Sequence, residues 1–202
     1  MKAIDLFSDW ALNDRDLGME KNHMASVKKM LSLIFHKRAE IFSFVDLGCG
    51  NGYVVREVSK HPLCQRSIGV DGAVEMIKKA KLIDSKGEYI CSNISSWLPE
   101  KKVDFIHSME VMYYLENPQK IITNINQKCL KKNGMMIMGI DFYQENSDCH
   151  SWPNDLNLPM KLLSIREWII ILENSGLSDI KFSQENGKGN FPGTLILSGI
   201  NS

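Results

Sequence analysis

The stretch Phe44-Val45-Asp46-Leu47-Gly48-Cys49-Gly50-Asn51-Gly52 determines the fold that this sequence predicts. It begins in an apolar run and ends where a helical pattern opens near Asn51, so its glycines lie between a strand and a helix. Glycine allows a tight turn there and lets backbone amides approach a ligand, and the N-terminus of the following helix adds positive potential. The stretch therefore predicts a ligand-binding loop after a strand.

Short apolar runs alternate with segments of helical periodicity on both sides of this loop. A capping box formed by Ser164 and Glu167 opens a late helix, after which come two more strand-like runs. The alternation predicts an α/β domain with a mainly parallel sheet covered by helices on both faces. The apolar runs cover residues 41–47, 67–70, 89–91, 103–107, 135–140, 180–182 and 194–197.

Two regions depart from this alternation. Amphipathic helices are predicted over residues 3–13 and 24–37, with a polar stretch from Asn13 to His23 between them. An irregular segment, residues 141–159, follows the fifth predicted strand, and such segments in a compact domain are commonly functional. We expect a single domain over residues 1–202, with a helical lid in residues 1–40 and the core in 41–202.

The composition disfavours several classes of partner. The 202 residues carry 24 basic and 24 acidic side chains, and this balance argues against a nucleic acid substrate. The five cysteines show no CxxC pair and no Cys/His spacing typical of a metal site. No signal-peptide pattern is present, and no apolar run reaches the roughly 18 residues of a membrane span. We therefore expect a cytoplasmic protein with no membrane contact.

Two acidic residues around the loop indicate the kind of ligand. Asp71 lies 19 residues beyond Gly52, at the end of the second predicted strand, where a carboxylate can accept both hydroxyls of a ribose. NAD enzymes carry G-x-G-x-x-G, whereas the spacing here is G-x-G-x-G with Asp46 two positions before the first glycine. A carboxylate repels a pyrophosphate but attracts a sulfonium and an α-amino group. The charges favour S-adenosyl-L-methionine (SAM) over NAD.

From about Ile41 to Leu197 the chain resembles the class I SAM-dependent methyltransferases. The resemblance rests on VDLGCGNG at 45–52, GVDGAVEMIKKAK at 69–81 and SMEVMYYLENPQKIITNINQKCLKKNGMMIM at 108–138. It implies a Rossmann-like three-layer sandwich with a seven-stranded, mainly parallel sheet whose last strand is antiparallel. It also implies SAM as the cofactor and a small-molecule methyl acceptor.

The resemblance implies a set of cofactor-binding residues as well. Asp46 and the loop residues would contact the methionine part of SAM, Asp71 would bind the ribose, and Gly72 would pass beneath the adenosine. Where the family usually has an Asp near the adenine amino group, this sequence has Asn93, which would form a neutral hydrogen bond. The expected set is Asp46, Gly48, Cys49, Gly50, Asp71, Gly72, Asn93, Ile94 and Ser108.

The loop after the fourth predicted strand is the first candidate for acceptor binding. In similar enzymes its first residues line the methionine side, and the position of Tyr113 faces the transferring methyl. A tyrosine there can orient a nucleophile through a hydrogen bond, although Tyr113 is also explained by packing of a helix on the sheet. Glu110 is a candidate substrate-binding residue, or equally an acid at the N-terminus of a helix.

The N-terminal polar stretch is the second candidate. As a lid it would direct Glu20 and His23, three residues apart, toward the acceptor, with Trp10 as a further part of the cover. His23 has an unperturbed pKa near neutrality and is a candidate general base. The alternative for His23 is a solvated side chain near a helix N-terminus.

The segment after the fifth strand is the third candidate. Asp141 and Tyr143 are expected to share one facing because side chains alternate along a strand. We expect Asp141 to act in catalysis and Tyr143, His150 and Trp152 to bind the acceptor. Aromatic side chains suit a cationic amine, but an oxygen or carboxylate acceptor fits His23 and Tyr113 equally well.

Methyl transfer to a small polar N or O acceptor is the function that these residues favour. The alternatives are a non-catalytic module that binds SAM or S-adenosylhomocysteine (SAH), a NAD-dependent oxidoreductase and a methyltransferase that acts on proteins. No grouping of carboxylates indicates a metal, so we expect none. A monomer and a homodimer are both compatible with the sequence.

Overall fold

The computed structural model describes residues 2–36 and 40–202, in which a sheet of seven strands runs in the order β3-β2-β1-β4-β5-β7-β6. Neighbours among β1 to β5 are parallel, and β7 is antiparallel to both β5 and β6. This confirms the predicted Rossmann-like fold with a mainly parallel sheet and an antiparallel last strand. The strands are β1 Phe42–Leu47, β2 Cys64–Asp71, β3 Glu88–Cys91, β4 Val103–Met109, β5 Leu130–Ile140, β6 Leu177–Glu185 and β7 Thr194–Asn201.

Helices cover both faces of the sheet. The capping box predicted at Ser164 is formed, because its side chain accepts from the Glu167 amide and Glu167 reaches back to the Ser164 amide. In the described residues no helix is both long and apolar enough to cross a membrane. The helices are α1 Ala3–Leu12, α2 Asp16–Phe35, α3 Tyr53–Ser59, α4 Val74–Ile83, α5 Pro118–Asn124, α6 Trp152–Asp155 and α7 Ile165–Asn174.

The hydrophobic core lies in two layers, one on each side of the sheet. Val45 and Ile106 belong to the layer that the Trp168 side chain of α7 fills. Phe44 and Phe105, their neighbours along the strands, belong to the opposite layer, where Met30 of α2 packs. Successive side chains of a strand point to opposite faces, so β1 and β4 contribute to both layers and are buried throughout their central residues. The two layers fix the carboxyl ends of these strands side by side.

The prediction of an irregular polar stretch from Asn13 to His23 is wrong for residues 16–23, which form the first two turns of α2. The Asp16 side chain is only 2% exposed and pairs with Lys79 of α4. The ion pair with Lys79 stabilises the buried carboxylate of Asp16, a residue that the sequence pattern predicts to be exposed. Residue 1 and residues 37–39, which belong to the predicted lid and to the predicted end of its second helix, lie outside the described residues.

Candidate active site

A cavity of about 980 Å³ opens at the carboxyl ends of β1, β2 and β4, and α1 and α2 cover it. Crevices at this edge of an open α/β sheet are the usual ligand sites of such folds. One side is lined by the glycine loop, Asp71, Gly72, Asn93 and Ile94. The other side carries acids, a histidine and aromatic rings, namely Trp10, Glu20, His23, Glu110, Tyr113, Tyr114 and Trp152. Most of the residues predicted for the two ligands therefore line one space.

The glycine loop needs its glycines for two different reasons. Gly50 has a φ of +51°, which side-chain-bearing residues rarely adopt, and the nearest atom to a Cβ there would be Met76 Sδ at 3.8 Å. At Gly48, which has a φ of +77°, a Cβ would collide with the Val111 side chain. Gly50 thus keeps the cavity wall bare, and Gly48 lets β1 approach the loop after β4.

The Asp71 carboxylate stabilises the loop from the end of β2. Its Oδ2 accepts a hydrogen bond from the Gly50 amide at 2.9 Å, and its Oδ1 accepts one from the Ala73 amide at 2.7 Å. Burial raises the pKa of Asp71, and the nearby Asp46 raises it further, while the backbone amides lower it. Each carboxylate oxygen has a second lone pair, so both can still accept from the hydroxyls of a ribose.

Asp46 is held by a histidine from the neighbouring strand. Asp46 and His107 are register partners in the parallel pair of β1 and β4. His107 Nδ1 lies 2.7 Å from Asp46 Oδ1, with the His107 side chain fully buried. His107 Nε2 is buried without a hydrogen-bond partner among the described residues. This pair fixes the orientation of the carboxylate that lines the cavity.

Three ionisable side chains from separate elements meet on the acceptor side. His23 lies on α2, Glu110 directly follows β4, and Asp141 directly follows β5. Their ligand atoms all lie within 4.8 Å of one another, and His23 Nε2 is 3.8 Å from Asp141 Oδ2. Glu110 Oε1 accepts from the Asp141 amide, and its Oε2 accepts from the Tyr113 hydroxyl at 2.7 Å. We call His23, Glu110 and Asp141 the acidic triad.

Burial shifts the protonation equilibria of the acidic triad. The pKa of Glu110 is raised well above its ordinary value by burial and by Asp141. Burial also raises the pKa of Asp141, against the effects of Thr194 and His23. The pKa of His23 is lowered by burial, although Asp141 opposes this shift. These opposite shifts bring the pKa values of the two carboxyl groups and of the imidazole closer together, which favours transfer of a proton within this group.

Glu110 has an unusual backbone conformation. Its φ is +60°, in the left-handed region that bulky residues avoid. The Glu110 amide donates to the Gly139 carbonyl at 2.9 Å, so the chain leaves β4 still attached to β5. A residue strained in this way persists only where its surroundings hold it, which is common in functional sites. The conformation directs the Glu110 side chain toward Asp141 and Tyr113.

Aromatic rings enclose the same space. Tyr113 and Tyr114 have ring centroids 4.4 Å apart, and Phe7 of α1 packs edge-on against Tyr114. Trp152, at the start of α6, lines the cavity and stacks near Phe142 with centroids 6.2 Å apart. The walls around the acidic triad are thus largely aromatic.

Asn51, within the glycine loop, connects the loop to the lid. Its Nδ2 donates to Asp16 Oδ2 at 2.9 Å and to Glu20 Oε2 at 3.2 Å. Glu20, predicted to bind substrate, lines the cavity but has this partner. Farther along α2, which also carries Asp16 and Glu20, Ser26 Oγ donates to Thr194 Oγ1 of β7 at 2.7 Å. Hydrogen bonds therefore join α2, the second helix of the lid, to the glycine loop after β1 and to β7.

Four predicted site residues lie outside the cavity lining, namely Ser108, Asp141, Tyr143 and His150. Ser108 is buried and donates to the Leu47 carbonyl at 2.9 Å, which joins the ends of β4 and β1. Tyr143 is fully buried, and its hydroxyl donates to the Gly193 carbonyl at 2.7 Å. The shared facing expected for Asp141 and Tyr143 stays a prediction, because β5 ends at Ile140 and the alternation on which it was based ends with it. His150 is exposed, with Nε2 3.0 Å from the Gln144 carbonyl oxygen.

Asn51 and His107 are two site residues that the sequence patterns did not predict. The position of Asn51 between two loop glycines is a pattern that could have indicated a site residue. For His107 the indication is weaker, because the only pattern is a histidine at the end of a largely apolar run. Its role depends on the register of β1 and β4, which no local pattern defines. The Cys49 side chain, by contrast, packs in a small buried cluster with Val55 and Tyr89.

Comparisons with known proteins agree with this geometry. A family model described as a methyltransferase domain matches residues 45–138. A malonyl-[acyl-carrier protein] O-methyltransferase of Ilyobacter polytropus is 25% identical over 176 residues, which are 83% of this chain and 66% of that protein. The chain thus spans just under two thirds of the length of this relative.

Solved structures share the fold. One is the complex of the Haloferax volcanii Trm112 methyltransferase activator with a methyltransferase, at a TM-score of 0.85 and 24% identity, covering 96% of this chain and 97% of that one. Another is the N-methyltransferase NodS of Bradyrhizobium japonicum with SAH, at a TM-score of 0.66 and 19% identity, covering 87% of this chain and 85% of that one. At these identities the likeness is one of fold.

Proposed function

We propose that this chain, which belongs to the class I SAM-dependent methyltransferases, transfers the methyl group of SAM to a small polar molecule. One observation carries the proposal: a single cavity is lined by the glycine loop and Asp71 on one side and by His23, Glu110 and Tyr113 on the other. Its volume of about 980 Å³ lies at the upper end of the range typical of ligand pockets. It therefore has room for a cofactor and a small acceptor together.

The cofactor side fits SAM by its chemistry. Asp46 presents a carboxylate suited to the α-amino group and the positive sulfur, and Asp71 offers acceptors for ribose hydroxyls. Gly50 leaves the backbone bare where the methionine part would lie, and Asn93 suits the adenine amino group. When bound, SAM supplies a methyl group on a positively charged sulfur.

The acceptor side provides alignment and exclusion of water, the two main demands of an in-line displacement. α1 and α2 cover the cavity, and Tyr113, buried against Glu110, lies where it can orient a nucleophile. His23 and the two carboxylates of the acidic triad lie within reach of a departing proton. The size of the enclosed space favours a small acceptor over a folded protein.

Calorimetric titration of the protein with SAH, and with NADH in parallel, tests the cofactor assignment. We expect micromolar binding of SAH alone, weakened at least about tenfold in Asp71→Ala because a charged hydrogen-bond acceptor is lost. Asp148→Ala removes an exposed acid after β5 and is the matched control. Binding of NADH without SAH would refute the assignment.

Turnover tests the second half of the proposal. The protein is incubated with SAM labelled in the methyl group and with panels of small amines, alcohols and carboxylic acids. We expect labelled product from at least one panel and formation of SAH in equal amount. Tight SAH binding without turnover in any panel would instead support a non-catalytic binding module.

A further inference from the structure

We propose that the methyl acceptor is an amine, which binds in its ammonium form at the acidic triad, where His23 and Glu110 line the cavity. This inference rests on the proposed methyl transfer and specifies its substrate class. It starts from the charges of the acidic triad. Two carboxylates lie together there, and in the described part of the chain neither forms an ion pair with a lysine or an arginine.

The hydrogen bonds of the two carboxylates leave room for a further donor. Asp141 Oδ1 is buried without a partner at ordinary hydrogen-bond geometry among the described residues, although the Thr194 hydroxyl lies near enough to lower the pKa of this carboxyl. Asp141 Oδ2 has His23 at 3.8 Å, too far for a hydrogen bond. Glu110 uses one lone pair of each oxygen for the Asp141 amide and the Tyr113 hydroxyl. An ammonium group offers three donors and a positive charge, and it would satisfy both carboxylates.

The spacing of His23 and Asp141 suits an ammonium group better than a tetrahedral zinc ion. Ligands about 2.1 Å from a tetrahedral zinc ion are only about 3.4 Å apart. Partners of an ammonium nitrogen lie about 2.8 Å from it, so they can be up to about 4.6 Å apart. The separation of 3.8 Å between His23 Nε2 and Asp141 Oδ2 exceeds the metal value. It lies within the range for two partners of one ammonium nitrogen.

The surroundings of the acidic triad are suited to the same ligand. Tyr113, Tyr114 and Trp152 line the same cavity as Glu110. Aromatic faces attract ammonium groups, and most strongly where water is excluded. An alcohol lacks the positive charge that these rings attract, and a carboxylate would be repelled by the acidic side chains. The charge and the walls of the site therefore select the same chemical class.

The reaction then needs one proton to leave the nitrogen. The ammonium group transfers a proton to a carboxylate of the triad or to His23, which frees the nitrogen lone pair. That lone pair forms a bond to the methyl carbon, the bond from carbon to sulfur breaks, and its electron pair remains on sulfur as SAH leaves. Burial raises the pKa of Asp141, which makes this carboxylate a suitable proton acceptor.

Matched probes in the SAH-loaded protein test the inference. The probes are 2-phenylethylamine, 2-phenylethanol and phenylacetate, together with n-butylamine, n-butanol and butyrate, and binding is measured by calorimetry. We expect each amine to bind at least about tenfold more tightly than its alcohol and its acid. Glu110→Gln and Asp141→Asn should abolish this preference and leave SAH affinity unchanged. The exposed acids Glu173→Gln and Asp148→Asn are the matched controls.

The outcomes separate this inference from the proposed function. Equal binding of an amine and its alcohol, with SAH bound normally, would overturn the amine assignment alone. Binding of Mn²⁺ to the SAH-loaded protein, lost in Asp141→Asn, would also overturn it, in favour of a metal centre. Failure of SAH to bind would refute the proposed function itself. An amine preference that survives both substitutions would show that the aromatic walls, and not the acidic triad, select the ligand.

Discussion

His107 Nδ1 lies 2.7 Å from Asp46 Oδ1, across the two central strands of the sheet. Both side chains are buried, so removal of His107 leaves a carboxylate without its partner. We expect His107→Leu to lower the free energy of unfolding by about 1–3 kcal/mol and to weaken SAH binding. Thermal denaturation and calorimetry measure the two effects. The exposed His36→Leu is the control, and unchanged SAH affinity in His107→Leu would exclude a positioning role.

The bond from the glycine loop to the lid yields a second prediction. Asn51→Asp replaces an amide donor with a third carboxylate facing Asp16 and Glu20. We expect amide hydrogen exchange in residues 16–23 to accelerate about tenfold or more, since hydrogen bonds to charged groups are lost and repulsion is added. Asn174→Asp, on the exposed end of α7, should leave this region unchanged. Unaltered exchange in Asn51→Asp would mean that other contacts hold the lid.

The buried carboxyl of Glu110 predicts a dependence of stability on pH. Its pKa lies well above the ordinary value of 4.5, because of burial and of Asp141. Above pH 4.5 the unfolded chain releases this proton while the folded chain keeps it. The contribution of the group to stability is therefore present in acid and is lost as the pH rises through the folded-state pKa.

Glu110→Gln removes this titration. We expect the difference in Tm between Glu110→Gln and the wild type to shift in favour of the variant as the pH rises from about 4.5 to 8. His23, Asp141, Tyr113 and Tyr114 face the same group and remain in both proteins, which isolates the effect of Glu110. Glu173→Gln, with an exposed acid, should show no such trend. A difference that stays constant with pH would contradict the burial of a titrating carboxyl.

Substitution of Tyr143 is predicted to affect stability, whereas substitution of Trp152 is predicted to affect acceptor binding. Tyr143→Phe deprives the Gly193 carbonyl of a donor and Gln184 of an acceptor, and we expect Tm to fall by about 2–6 °C with no change in the acceptor KM. Trp152→Leu removes an aromatic wall of the cavity and should raise the acceptor KM with little change in Tm. A raised KM in Tyr143→Phe would return that residue to the acceptor site.

The sequence was sufficient to predict the parts of the fold that depend on local patterns. The glycine loop, the strands and the capping box of α7 each follow from a short pattern with a physical cause. The first two turns of α2 could not be predicted, because their polar residues are satisfied by Lys79 and Asn51, which are distant in sequence. The partner of Asp46 was hidden for the same reason, since strand register sets it.

The candidate acceptor site was predictable residue by residue but not as an arrangement. His23, Glu110 and Asp141 were each expected from the segments that follow strands or cover them. Their mutual contact depends on where β4 and β5 end and on the left-handed conformation of Glu110. Tyr143 was expected to share the facing of Asp141 because the alternation of β5 was extended beyond the last residue of that strand.

The hydrogen bond between Ser26 and Thr194 has a consequence for biosynthesis. Its two partners are 168 positions apart, so it cannot form until nearly all of the described chain has left the ribosome. The glycine loop and Asp71 emerge more than a hundred residues before Thr194. The half of the cavity that suits the cofactor is therefore synthesised early, whereas the cover that closes the acceptor side has to wait for the final strand.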